Sequence, residues 1–191
     1  ENICNYVHLP VQSGNSEVLK RMNRGYTREW YLDRIAAIKR IIPDSTISTD
    51  IITGFCGETE EQHQDTLSLM EEVSYQMSYM FKYSERPRTL AERKFEDDVP
   101  EEVKSRRLDE VIAVHLRIAK NGTSSMLGRT FKVLVEGVSK KSDQHHYGRN
   151  SQNTIMIFPK GDTQKGQYVY VQAISNTSVT LIGEVVQTEE G

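Results

Sequence analysis

Two loops of the chain each follow an apolar, strand-like run and each precede a helix-like pattern, and this repeat constrains the fold more than any other feature. The first loop is HLPVQSG at 8–14, and the second is DIITGFCGETEE at 50–61. In α/β proteins, small-residue turns between a strand and a helix build ligand pockets at the carboxyl ends of the strands. The two loops therefore predict a ligand pocket at one edge of a parallel sheet.

The spacing of apolar residues predicts alternating strands and helices around these loops. Thr27 is the expected N-cap of a helix over 28–42, whose apolar residues recur at helical spacing. A buried strand is predicted at 46–55, a capping box at 59–62 and a short strand at 79–83. This order is typical of parallel βαβ repeats. Three such strands neither close a barrel nor complete a typical open sheet.

The second half of the chain has a different pattern. The charged stretch from Pro100 to Gly122 predicts one long helix. Beyond it, apolar residues alternate with polar ones, as in half-buried strands. The predicted strands are 130–136, 153–158, 167–174 and 179–186. Short strands with turns between them indicate a small antiparallel β-barrel, so we predict an α/β domain at 1–125 and a barrel at 126–191.

Charge and cysteine content narrow the class of protein. The net charge is −3, yet residues 129–170 hold seven Lys and Arg residues against three Asp and Glu residues. A polyanion contact is therefore expected mainly in the second domain, although ordinary scatter of charge on a β surface would give the same count. The two cysteines, Cys4 and Cys56, have no metal-ligand spacing. With no signal peptide and no long apolar run, we expect a cytoplasmic protein that does not contact membranes.

Several segments are specific enough to indicate a family. They are HLPVQSGNSEVLKRMNRGYT at 8–27, STDIITGFCGETEE at 48–61, YSERP at 83–87, VEGVSKK at 135–141 and GRN at 148–150. With these motifs in this order, the chain resembles the radical-SAM methylthiotransferases, and above all their tRNA branch. The resemblance implies part of a radical-SAM (βα) barrel followed by a TRAM domain, a small RNA-binding β-barrel. Because the chain opens inside a strand, we expect it to be the back part of a larger enzyme.

The resemblance also implies an activity. The family's tRNA enzymes replace C2–H of an N6-isopentenyladenosine beside the anticodon with a methylthio group, using S-adenosylmethionine and two 4Fe-4S clusters. A cluster needs several thiolates close together, which Cys4 and Cys56 cannot supply. We therefore expect no catalytic residue and no metal site here, and no activity from this chain alone. Three alternatives stay open: methylthiolation of threonylcarbamoyl-adenosine in tRNA, methylthiolation of a ribosomal protein, and a non-catalytic RNA-binding module.

The two loops contain the residues that the resemblance assigns to S-adenosylmethionine. The expected set is Gln12, Ser13, Ile52, Gly54 and Phe55. The first two would bond the ribose or the methionine group, and the others resemble a strand motif whose backbone approaches the adenine. An alternative is that 13–15 is only a turn and Ser16 caps the next helix. Glu58 and Glu60 are better explained as acidic residues that favour the positive end of a helix than as functional residues.

Basic residues provide the expected contacts to the tRNA anticodon stem-loop. Arg86 lies in the loop after the third strand, where an ion pair with Glu85 or Glu92 is the alternative to a phosphate contact. In the barrel, the candidates are predicted to lie in turns, where they can meet a phosphate backbone: Lys140, Lys141, Arg149 and Lys160. Tyr147 and Phe158 are candidates for base stacking, with Phe158 better explained as core. Arg88 occupies a position where the family usually has Gly.

Overall fold

The computed structural model describes residues 3–186, and within them it forms two compact units. The α/β unit comprises 7–43 and 47–118, and the barrel unit comprises the remaining described residues, chiefly those from 119 onward. The division falls between Ile118 and Ala119, inside a long helix. The predicted domain boundary at 125/126 stays a prediction.

The α/β unit is built on a three-stranded sheet with the order β1-β2-β3. Its strands are β1 (Tyr6–His8), β2 (Thr46–Thr53) and β3 (Met77–Lys82). Its helices are α1 (Ser16–Arg21), α2 (Arg28–Ile41), α3 (Glu60–Val73), α4 (Leu90–Lys94) and α5 (Glu101–Ser124), the last continuing into the barrel unit. Strands β2 and β3 are parallel, with Asp50 opposite Tyr79 and Ile52 opposite Phe81. The predicted parallel βαβ arrangement is therefore present.

The core of this unit lies between one face of the sheet and its helices. Ile47 and Ile51 on β2 are buried against apolar side chains of α2, α3 and α5. The members from those helices are Tyr31, Ile35, Leu69, Met70, Val73, Val111 and Ile118. Burying an aliphatic side chain of this size stabilises the fold by about 1.5–3 kcal/mol. The opposite sheet face leaves Met77, Tyr79 and Phe81 exposed.

The helix starts follow local sequence closely. Thr27 caps α2, accepting from the Trp30 N–H, and Thr59 forms with Gln62 the predicted capping box of α3. At α1 the cap is Asn15, whose side-chain oxygen accepts from the N–H groups of the next helical residues, so the alternative cap Ser16 is wrong. An Asn carbonyl reaches these N–H groups as readily as a Ser hydroxyl does.

Two predictions in the second half of this unit need correction. The segment predicted as a polar loop after β3 contains α4, capped by Thr89, because one short turn of helix needs little apolar periodicity. Helix α5 extends to Ser124, past Gly122, which was expected to end it. Leu116, although it fits the apolar spacing, is about half exposed.

The barrel unit is a closed five-stranded barrel with the order β4-β5-β6-β8-β7. Its strands are β4 (Thr130–Ser139), β5 (Ser142–Asn150), β6 (Ile155–Pro159), β7 (Tyr168–Asn176) and β8 (Thr180–Val185). All pairs are antiparallel except β6 with β8. The interior is apolar and includes Phe158, which is fully buried as its core interpretation predicted.

Strand β5 was not predicted, because its sequence, SDQHHYGRN, lacks apolar alternation. It forms because β4 and β6 hydrogen-bond to it on both sides. Gly148 permits the close pairing with β4, since a Cβ there would lie 2.1 Å from the carbonyl oxygen of Leu134. Among residues 3–186, no helix is long and apolar enough to cross a membrane.

Candidate cofactor pocket and RNA-binding surface

A pocket of about 250 Å³ opens beside the carboxyl end of β2 in the α/β unit. Its apolar wall includes Ile52, Phe55 and Tyr83. Phe55 packs edge-on against Tyr83 and Phe95, with ring centroids 4.9 and 6.1 Å apart. Flat aromatic and aliphatic walls of this kind suit the planar ring of an adenine. Two of the five predicted cofactor residues, Ile52 and Phe55, line this pocket.

A second, mostly polar part of the pocket lining comes from the end of α1 and the residues that follow it. It comprises Arg21, Asn23 and Arg24, together with Met22. The Arg21 guanidinium donates to the side chain of Gln62 at 2.8 Å and to the carbonyl of Gly57 at 3.2 Å. Its Nε is buried with no partner among the described residues. This part of the lining offers donors for a carboxylate or a ribose, beside a surface suited to a base, so the residues present fit S-adenosylmethionine.

The loop after β2 is held in place by a buried carboxylate. Gly54 has a left-handed φ of 70°, and its N–H donates to Glu58 Oε2 at 2.7 Å. A Cβ on Gly54 would lie 2.4 Å from Cγ of Lys104, so glycine is needed on both counts. Glu58 also pairs with Arg107 on α5. Burial raises the pKa of the Glu58 carboxyl, and the hydrogen bond from Gly54 and the charge of Arg107 oppose that rise.

The first loop lies against β2 and α3. Gln12, with a φ of 74°, exchanges backbone hydrogen bonds with Asp50 and Ile52, each 2.9 Å long. Ser13 is fully buried, and its hydroxyl lies 3.4 Å from that of Thr66. Neither residue lines the pocket. Their assignment to S-adenosylmethionine, like that of Gly54, stays a prediction.

The sequence did not lead us to predict the roles of several residues of the pocket and its loop. No role was predicted for Arg21, Asn23 and Arg24, although two arginines close to an Asn and beside a ligand loop were a signal. Glu58 was interpreted as a helix-end charge, whereas it forms a buried ion pair. Its partner lies 49 positions away in sequence, so no local pattern could have identified it.

The thiols do not form a cluster site. Cys4 is exposed, and Cys56 is buried beside Val18 and Phe55. Burial raises the pKa of the Cys56 thiol, which keeps it protonated. Within 3–186, no group of three or more His, Cys, Asp or Glu side chains is arranged to hold a metal ion. The described residues therefore do not fit a 4Fe-4S cluster, which needs several thiolates.

Three of the four predicted basic residues of the barrel share one end of it. Lys140 and Lys141 form the tip of the β4–β5 hairpin, between the paired residues Ser139 and Ser142. Lys160 follows β6, and its N–H donates to the carbonyl of Gln144 at 2.9 Å. All three side chains are exposed. These residues can contact one phosphate backbone together.

Arg149 is placed differently from the other three. It lies near the far end of β5, on a strand and not in the predicted turn, and it forms an ion pair with Glu136 on β4. It is eight positions after Lys141, which corresponds to about 26 Å of extended strand. The four basic residues therefore do not converge, because the unpredicted strand β5 separates them.

The loop before α4 exposes Arg86, which makes no ion pair with any residue in 3–186, so the alternative pairing with Glu85 or Glu92 is absent there. Glu92 instead accepts from the backbone N–H of Arg88. Arg88 has a left-handed φ of 70°, which explains why glycine suits this position.

Comparisons with known proteins agree with this architecture. Residues 1–70 match the radical SAM superfamily, and residues 124–186 match the TRAM domain. The structure is also similar to that of coproporphyrinogen III oxidase (HemN) from Escherichia coli, a radical SAM enzyme. The alignment covers 93% of this chain and 44% of the HemN chain, with a TM-score of 0.50 and a sequence identity of 20%. At that identity the likeness concerns the fold alone.

Curated relatives are much more similar in sequence. The chain is 54% identical to the tRNA-2-methylthio-N(6)-dimethylallyladenosine synthase of Porphyromonas gingivalis, over 98% of this chain and 40% of the relative. The synthases of the same name from Bacteroides thetaiotaomicron and Christiangramia forsetii are 55% and 56% identical to it over 97% of this chain. These alignments cover 41% and 38% of the two relatives, respectively. The chain thus spans about 40% of the length of these relatives. With its radical SAM segment, its TRAM domain and these similarities, the chain belongs to the radical-SAM methylthiotransferase family.

Proposed function

We propose that this chain supplies a cofactor pocket and an RNA-binding barrel to an enzyme that methylthiolates C2 of N6-isopentenyladenosine next to the anticodon of tRNA. The observation that supports this most strongly is the similarity to the synthases of that name, which runs through both units at 53–56% identity. The whole activity is proposed for the longer protein, since this chain corresponds to about 40% of those relatives.

In this proposal the pocket beside β2 holds S-adenosylmethionine. Ile52, Phe55 and Tyr83 enclose the adenine, and Arg21 with Arg24 bind the polar methionine end. When bound, S-adenosylmethionine supplies the hydrogen-abstracting chemistry of the superfamily. The residues of this chain exclude water from the base and orient the molecule. The two 4Fe-4S clusters that we propose for the full enzyme need ligands other than Cys4 and Cys56.

The proposed partner is the anticodon stem-loop of tRNA, bound by a barrel domain that we place at 126–191. Exposed Lys140, Lys141 and Lys160 give this domain a basic end that favours a phosphate backbone. Arg86 provides a further cation on the α/β unit, and Arg149 one on the β5 strand. A tRNA substrate also supports a cytoplasmic location.

The test is mass spectrometry of tRNA nucleosides from a strain that lacks the gene. We expect the 2-methylthio nucleoside to disappear and isopentenyladenosine to accumulate, and the intact gene to restore it. The intact gene carrying Phe55→Ala should restore it poorly, while one carrying Glu96→Ala, at an exposed position outside the pocket, should restore it fully. Unchanged isopentenyladenosine derivatives would contradict the proposal. A change confined to the threonylcarbamoyl-adenosine derivatives would assign another tRNA branch of the family, and unchanged tRNA nucleosides would leave the ribosomal-protein branch as the next candidate.

A further inference from the structure

The outer surface of the barrel has an aromatic and cationic face that lies apart from the lysine turns. Outward side chains of β4 and β7 form it, with Lys132 paired opposite Tyr170 and Leu134 opposite Tyr168. We call these four residues the Tyr168 face. The intervening residues, such as Val133 and Val169, point into the barrel core, so alternation along both strands fixes which side chains face outward.

Within this face, a lysine lies over an exposed tyrosine ring. The Nζ of Lys132 is 5.1 Å from the ring centroid of Tyr168, whose surface is 60% exposed. Lys132 forms no ion pair with any residue in 3–186. A single exposed tyrosine needs no explanation. A tyrosine with a second tyrosine beside it and an unpaired cation above it is the combination that binds bases and phosphates.

The surroundings of the face extend its positive charge. Arg149 on β5 lies opposite Leu134, although Glu136 offsets its charge through their ion pair. The turn that precedes Tyr168 exposes Lys165, and its next residue, Gly166, donates from its N–H to the carbonyl of Val135. Lys165 therefore adds positive charge next to the Tyr168 face. Two further acidic residues lie on neighbouring strands: Glu184, which is opposite Gln172 beyond Tyr170, and Asp143, at the hairpin end of β5.

We propose that the Tyr168 face is a stacking site for an unpaired RNA base, with Lys132 contacting an adjacent phosphate. The inference rests on the proposed function and deepens it by assigning base contact to the β4/β7 surface, in addition to the phosphate contacts of the lysine turns. Charge favours RNA over a second copy of this chain, because a symmetric contact would set Lys132 and its counterpart against each other. A nucleotide is complementary to both residues, because its flat base can stack on the tyrosine ring and its negative phosphate can pair with the lysine ammonium group.

The test measures binding of the full chain to a fluorescently labelled anticodon stem-loop RNA by anisotropy. Tyr168→Ala should weaken binding by about 5- to 150-fold, the range expected for losing one base–aromatic stack, whereas Tyr168→Phe should stay within about 2-fold. Lys132→Ala should weaken binding and reduce the slope of log affinity against log salt by about one. The matched control is Ile174→Ala, an apolar residue further along β7 that is 54% exposed and lies outside the Tyr168 face, which should bind normally.

Four results would overturn the inference. Normal binding by Tyr168→Ala, with weak binding by a Lys140→Ala/Lys141→Ala variant, would show that the turns alone bind RNA, and the proposed function would stand. Equal competition by a fully paired duplex of the same length would exclude base stacking. A change of oligomeric state in Tyr168→Ala would identify a second copy as the occupant. If the unmodified chain does not bind the stem-loop, the proposed RNA partner is wrong as well.

Discussion

Arg107 and Glu58 form a buried ion pair that connects helix α5 to the loop after β2. The Nη1 group of Arg107 donates to Glu58 Oε2 and to the Glu58 carbonyl oxygen, each at 2.9 Å. The two side chains are only 5% and 1% exposed. The same carboxylate oxygen accepts from the N–H of Gly54. Through Glu58, helix α5 therefore holds the backbone at Gly54, beside the proposed adenine site.

Removing one partner of this pair should strongly destabilise the α/β unit. Glu58→Ala removes the buried partner of Arg107 and leaves its guanidinium only the half-exposed carboxylate of Glu60 at 3.3 Å, so we expect the free energy of unfolding to fall by about 3–5 kcal/mol. Urea unfolding followed by circular dichroism measures this. Glu96→Ala, at an exposed position, should change the value by less than about 0.5 kcal/mol. A loss below about 1 kcal/mol for Glu58→Ala is what a solvent-exposed pair would give, and it would contradict the buried pair.

Stability in acid should depend on Glu60. Hydrogen bonds from Arg106 and Arg107 lower the pKa of Glu60 to about 2. Because the folded pKa is below the unfolded one, this contribution is present above pH of about 4.5 and is lost as pH falls towards 2. Glu60→Gln should therefore flatten the fall of stability between those values, measured as urea midpoint against pH. An equally steep fall in the variant would show that other carboxylates carry the acid sensitivity.

Glycine at position 88 should stabilise the chain. Arg88 adopts a φ of 70°, which costs a residue with a Cβ more than it costs glycine. Glycine relieves this strain, but it also has more conformational freedom in the unfolded chain, which offsets part of the gain. We expect Arg88→Gly to raise the free energy of unfolding by a net amount of about 0.5–1 kcal/mol. Thermal or urea unfolding provides the measurement. Arg86→Gly, whose φ is not left-handed, should give no gain, and a gain of the same size there would contradict the explanation.

The lysine turn should control the salt dependence of RNA binding. Removing two phosphate contacts with Lys140→Ala/Lys141→Ala should lower the slope of log affinity against log salt by about 1.4–1.8. The measurement is a salt series of stem-loop binding by the full chain. Lys20→Ala, an exposed lysine on α1 of the other unit, removes a charge without removing a barrel contact, so its slope should match that of the unmodified chain. An unchanged slope in the double variant would exclude the turn as a phosphate contact.

Local sequence determined much of the α/β unit. The caps at Thr27 and Thr59 form with residues three positions away, and their donors and acceptors are visible in the sequence itself. Strand β2 is rich in β-branched Thr and Ile residues, which predict a strand without knowledge of its neighbours. The same is true of the two ligand loops, because a loop between a parallel strand and its helix lies at the carboxyl edge of the sheet in any such fold.

The tertiary structure decided what depends on partners distant in the chain. Strand β5 is polar and forms because β4 and β6 pair with it, and its presence moves Arg149 to the far end of the barrel from Lys141. The pairing of Glu58 with Arg107 and the exposed ring of Tyr168 beneath Lys132 likewise require the packed fold. Sequence periodicity records which face of an element is buried, but the identity of the neighbour is fixed only when elements pack and exclude water.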